Sequence, residues 1–173
     1  MGPLPPVVRL PPDAIPVAAD PMRSAILSTA YTFNRESSPS ERARAAALVE
    51  YLTNDYRWDW RWAEYTPSTG GALDAARVEL HAALGIAPGA SPQAVVDGLM
   101  SAWRSLERGN APPLPPEVFV QPSLTMASLS STVPLPATRN ATSMMERELH
   151  RIDTERYSGG GPGGSGGGGG AHP

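Results

Sequence analysis

The placement of proline constrains this chain more than any other feature. Residues 1–19, "MGPLPPVVRLPPDAIPVAA", hold six of the 20 prolines. Each lacks an amide donor and fixes its own φ, so neither a helix nor a central strand is available there. A second run follows over residues 111–139, beginning "APPLPPEVFVQPSLTMASLSSTVPLPAT". Both read as extended chain: an arm over 1–19 and a strap over 111–139. Val7, Val8, Leu10, Ile15 and Val17 in the arm, and Val118, Phe119, Val120, Leu124 and Met126 in the strap, are too apolar for solvated linkers. They are expected to lie along a groove of this chain or of a neighbour. "EVFVQ" has the composition of a short edge strand bounded by prolines.

Between the two runs, residues 20–110 carry the signs of a small four-helix domain. Asp20 and Pro21 read as an N-cap and first helical residue, with Met22, Ile26, Ala30 and Phe33 on one face. Ser38 and Glu41 have capping-box spacing around Pro39, ahead of a stripe of Ala45, Leu48, Val49 and Leu52. Leu73, Ala76, Leu80, Ala83 and Leu84 define a third helix, stopped by Gly85 with Ile86 placed for a Schellman contact. Ser91 and Pro92 open a fourth, in which Val95, Val96, Leu99, Trp103 and Leu106 face one way until Gly109. Caps, periodicity and breakers agree, so the fold class is mainly α. A core of roughly 90 residues folds alone but leaves much surface, so added contacts matter.

Residues 140–157, "NATSMMERELHRIDTERY", form a further amphipathic helix with Met145, Leu149 and Ile152 on a narrow stripe. So thin a stripe suggests an outlying helix that docks on a neighbouring body. Residues 158–173, "SGGGPGGSGGGGGAHP", are a flexible tail by composition.

"YRWDWRWAEY", residues 56–65, holds three of the four tryptophans at alternate positions. Extended, it would place Tyr56, Trp58, Trp60 and Trp62 on one face and Arg57, Asp59 and Arg61 on the other. Helical, it would cluster Trp58, Trp62 and Tyr65 and send Trp60 elsewhere. An aromatic strip flanked by Arg can stack bases or sugar rings, but Trp, Tyr and Arg also anchor folds and protein interfaces. The charge decides between them. Net charge is −3, with 10 Arg against 12 acids up to Asn110 and 4 against 5 beyond it, so no basic arm supplies a field for phosphates. Nucleic acid is therefore not the favoured partner. Arg57 and Arg61 around Asp59 favour ion pairing.

Sequence signs of catalysis are few. There is no cysteine, and His81, His150 and His172 lie in three separate segments without a second ligand at helical spacing. No phosphate loop, dinucleotide-binding glycine pattern or nucleophile elbow occurs. No enzyme activity, cofactor or metal is expected. No apolar run approaches the roughly 18 residues that span a bilayer, and the first residues lack the apolar stretch of a signal peptide, so a membrane is not expected and an intracellular origin is.

The expected function is that of a structural subunit of a large assembly, interlocked with copies of itself or another structural chain. Its contact residues would be Tyr56, Arg57, Trp58, Trp60, Arg61 and Trp62, Val118 and Phe119 of the strap, and Met145, Leu149 and Ile152 of the last helix. Pro, Ala and Ser total 60 residues, a composition that resembles the proline-alanine-serine-rich coating proteins of some fungal double-stranded RNA viruses. That resemblance implies a viral or phage coat or capsid-associated protein, located in the virion. The alternative is an intracellular adaptor that presents its two "PLPP" segments, at Pro3–Pro6 and Pro113–Pro116, and a docking helix.

Overall fold

The computed structural model describes residues 6–16 and 19–158; the expected tail from Gly159 onward and the first five residues fall outside that range. Among the described residues the protein is mainly helical: α1 (Pro21–Phe33), α2 (Pro39–Asp55), α3 (Ser68–Leu84), α4 (Pro92–Glu107), α5 (Pro122–Ser130) and α6 (Pro136–Ser158), with a 3-10 turn at Trp60–Glu64.

Local chemistry sets most of the helix ends. The Asp20 carboxylate accepts from the Met22 amide at 3.1 Å. At α2 the Ser38 hydroxyl accepts from the Glu41 amide while Glu41 accepts from the Ser38 amide, which closes a capping box. Gly85 ends α3 at φ +63°, a left-handed conformation that a side chain would strain, and the Ile86 amide donates back to the His81 carbonyl at 2.9 Å. Ser91 caps α4 through the Ala94 amide.

At the centre α2 crosses α4. Ala43, Ala45, Ala46 and Ala47 keep α2 slim, and Leu48, Val49 and Leu52 meet Val95, Val96, Leu99 and Met100 in the buried core. α1 and α3 pack on α2 from other sides.

The strap is where the structure departs most from expectation. In place of extended chain throughout 111–139, residues 122–130 are helical as α5, and α6 begins at Pro136 rather than at Asn140. Hydroxyl chemistry explains α5: Thr125 Oγ1 donates to the Leu84 carbonyl at 2.6 Å and Ser128 Oγ to the Ala83 carbonyl at 2.5 Å. α5 thus satisfies carbonyls that the end of α3 leaves open. The expected edge strand reduces to an isolated antiparallel bridge between Ile86 and Phe119, flanked by hydrogen bonds from Ala87 N to Val118 O (2.7 Å) and Val120 N to Gly85 O (3.0 Å). Phe119 is fully buried, its ring against Gly98 of α4. Such burial stabilises by about 1.5–3 kcal/mol.

α6 does not stand apart. Its first turn is capped from another helix, with the amides of Ala137 and Thr138 each donating 2.9 Å to the Glu79 carboxylate of α3. Met145, Leu149 and Ile152 are buried against the body formed by α1 and α3. The neighbour that the narrow stripe requires is this same chain.

Along the described part of the arm, Asn54 bonds the Val8 amide (2.9 Å) and the Pro6 carbonyl (3.0 Å), and Gln93 exchanges two bonds with the backbone of Arg9. Arg44 reaches the Ala14 carbonyl and Arg104 pairs with Asp13 at 2.7 Å.

Candidate protein interface

The tryptophan segment begins where α2 runs out. Successive turns take over from the helix, with the Trp58 amide donating to Asp55 O at 2.9 Å and the Asp59 amide to the same oxygen at 3.0 Å. Asp59 then caps the 3-10 turn by accepting from the Arg61 amide at 2.9 Å. A turn of this tightness puts alternate residues on neither the one face of a strand nor the spacing of an α-helix.

The strand geometry is therefore absent, and of the helical one the pairing of Trp62 with Tyr65 and the outward Trp60 are seen, while Tyr56 takes the place expected for Trp58. Trp62 turns inward, 4% exposed, between Tyr56 (ring centroids 5.4 Å apart) and Tyr65 (4.8 Å), with tilted ring planes worth about 0.5–1.5 kcal/mol per pair beyond burial. Its indole N–H donates to Asp55 Oδ2 at 3.0 Å. Trp58 and Trp60 turn outward, 42% and 77% exposed.

The turn is pinned by charge. Arg61 lies on Asp59 through Nη2 at 2.7 Å and on Asp20, the cap of α1, through Nη1 at 2.5 Å. The hydrogen bond from Arg61 holds the Asp59 carboxyl below the usual aspartate range, and its two carboxylates raise the Arg61 guanidinium further. Burial pushes the Asp55 carboxyl up, against the lowering effect of the Trp62 hydrogen bond. Tyr51 and Tyr65 are both pushed up to about 12, chiefly by burial.

Compared with protein-family models, curated proteins and solved structures, the chain matches none.

The eleven sequence-expected contact residues thus separate into three groups. Trp58, Trp60 and Arg57 are exposed together beyond the end of α2. Tyr56, Trp62 and Arg61 build the turn that presents them. Val118, Phe119, Met145, Leu149 and Ile152 are buried within the chain itself and offer no free surface. Sequence reasoning overlooked Asp55, which decides which tryptophan goes in, and read Asp20 only as a helix cap, not as the carboxylate to which Arg61 is tied. Asp55 lies seven residues before Trp62, a spacing with no meaning until the turn is known.

A second charged group sits deeper. Glu50 of α2, 3% exposed, receives Arg77 Nε at 2.9 Å and lies 2.7 Å from His81 Nε2, both on α3. It joins two helices through charge-assisted bonds. Among the described residues no group of three or more His, Asp or Glu is placed to hold a metal ion, and no helix is long and apolar enough to cross a membrane.

Proposed function

We propose that this protein is a non-enzymatic structural component that binds copies of itself or another structural chain through Trp58 and Trp60. The supporting observation is the orientation of three neighbouring indoles. One is sunk into the fold and bonded to Asp55, while two are held in solvent on the turn that the first anchors. A folded chain has reason to bury Trp60, and leaving it 77% exposed on a pinned turn gives up that stabilisation. Tryptophan and arginine dominate the energetics of protein interfaces, and a contact already ordered before binding avoids much of the entropic cost of association. Arg57, exposed and adjacent to Trp58 in the chain, has no carboxylate partner among the described residues.

Membership of a viral or phage coat is the extension of this reading that the compositional likeness favours, with the virion as its location. The adaptor reading draws on a separate observation: Pro113, Pro115 and Pro116 of the second "PLPP" segment are exposed. A polyproline-binding domain needs that exposure.

Light scattering and sedimentation velocity across a dilution series separate the two. Self-association that grows with concentration and disappears in the Trp58→Ala/Trp60→Ala double variant, with its melting curve unchanged, supports the assembly reading. A monomer at every concentration that is retained by a polyproline-binding domain would replace it with the adaptor.

A further inference from the structure

A cleft of about 350 Å³ opens where the loop after α1 faces the loop between α5 and α6. It shares no residue with the tryptophan turn and does not rest on the function proposed above. Arg35, Arg42 and Arg139 come to it from three separate parts of the chain. Among the described residues none of the three has a carboxylate within ion-pairing distance, whereas six other arginines do. Arg42 is steadied by a bond from Nη1 to the Leu129 carbonyl at 2.5 Å, and Arg35 by stacking 3.6 Å over the Tyr31 ring. Arg139, an exposed residue, stands on the first turn of α6.

We infer that this cleft binds an organic phosphomonoester. Charge and size both lead there. Glu36 also lines the cleft, so the three guanidinium groups leave a surplus of two positive charges. A phosphomonoester carries close to two negative charges at neutral pH, roughly −1.5 to −2, and three acceptor oxygens suited to the planar fork of arginine. A single carboxylate would leave one charge unmatched. The hydroxyls of Ser37 and Thr132 supply neutral donors, those of Ser128 and Ser131 being given to the Ala83 and Ala127 carbonyls. The cleft is much larger than a phosphate ion, and Phe33, Val133 and Leu135 give it an apolar wall for the organic part of the ester.

Phenyl phosphate is a suitable probe, titrated calorimetrically at low salt into the full chain. The expected result is one saturable site, with weaker binding of inorganic phosphate, which leaves the apolar wall uncovered, and of phenyl sulfate, which carries one charge. Arg35→Gln and Arg139→Gln, both at exposed positions, should each weaken phenyl phosphate about tenfold or more, the loss expected for one charge-assisted bond. Arg108→Gln, an equal loss of charge outside the cleft, should leave it unchanged. A phosphotyrosine pentapeptide run alongside distinguishes a free ester from a phosphorylated protein as the source: tighter binding of the peptide, still dependent on Arg139, assigns it to protein. No binding of either probe at millimolar concentration overturns the inference. So does equal binding by the parent and an Arg35→Gln/Arg139→Gln variant that melts normally, or an equal loss in Arg108→Gln.

Discussion

Trp62 donates its indole N–H to Asp55 at 3.0 Å, and this bond turns one tryptophan of the segment inward while Trp58 and Trp60 remain outside. It ties the end of α2 to the turn that follows, so the exposed indoles rest on the core rather than on a loose loop. Folding and binding therefore meet at one pair of side chains.

The three tryptophans should respond differently to the same substitution. Trp62→Ala removes a buried ring, two aromatic contacts and the donor to Asp55, and should cost about 3–5 kcal/mol. Trp60→Ala should change stability by no more than about 0.5 kcal/mol while reducing association. Urea melts of the two variants, read by far-ultraviolet circular dichroism, check the difference.

Asp55 gives a pH dependence of definite sign. Its folded carboxyl lies above the ordinary aspartate value, so in the acid range the folded state holds its proton more tightly than the unfolded state. Stability contributed by this group is present below the unfolded value and is lost as pH rises through the folded one. Asp55→Asn keeps an acceptor for Trp62 and cannot ionise. Relative to the parent, the variant should gain stability as pH is raised from about 3 towards 7, then level off. Urea melts at a series of pH values measure this directly.

Much of the helical framework is legible in the residues because its ends are set by local chemistry. Asp20, Ser38, Gly85 and Ser91 each act within four residues of their own position, so a cap can be read without knowing the fold. The strap and α6 differ in kind. α5 has no side-chain cap of its own and is held by α3 carbonyls more than 40 residues away, while α6 is capped by Glu79 from a distance of 58 residues. Proline density points to extended chain over such segments, yet Pro122 and Pro136 each serve as a first helical residue, where proline is tolerated. For the same reason the stripe of Met145, Leu149 and Ile152 is visible in the sequence, but the surface that covers it is not.

Glu50 tests how α2 and α3 are joined. Arg77→Ala leaves a carboxylate that is 3% exposed with His81 as its remaining ion-pairing partner, and should destabilise by about 1–3 kcal/mol. Arg108→Ala, at an exposed position at the end of α4, should change stability by about 0.5 kcal/mol or less. Denaturant midpoints of both variants supply the comparison.

Gly98 reports on the seat of Phe119. A methyl group there would sit 2.9 Å from Phe119 Cε2, closer than the packed ring allows. Replacing a helical glycine by alanine ordinarily gains about 1 kcal/mol, but Gly98→Ala should instead cost about 1–3 kcal/mol. In Phe119→Leu, which withdraws the ring edge, the added methyl should cost less, and a double-mutant cycle measures that coupling.

Hydrogen exchange on the chain diluted until it is monomeric, followed peptide by peptide, probes whether the body completes itself and leaves Trp58 and Trp60 to make the contacts. The expected result is strong protection of Thr125, Leu129 and the Met145 to Ile152 stretch, comparable to that of α2, in the monomer itself. If residues 111–158 exchanged freely in the monomer and became protected only on association, these segments would be completed by a neighbouring molecule, contradicting a self-contained fold.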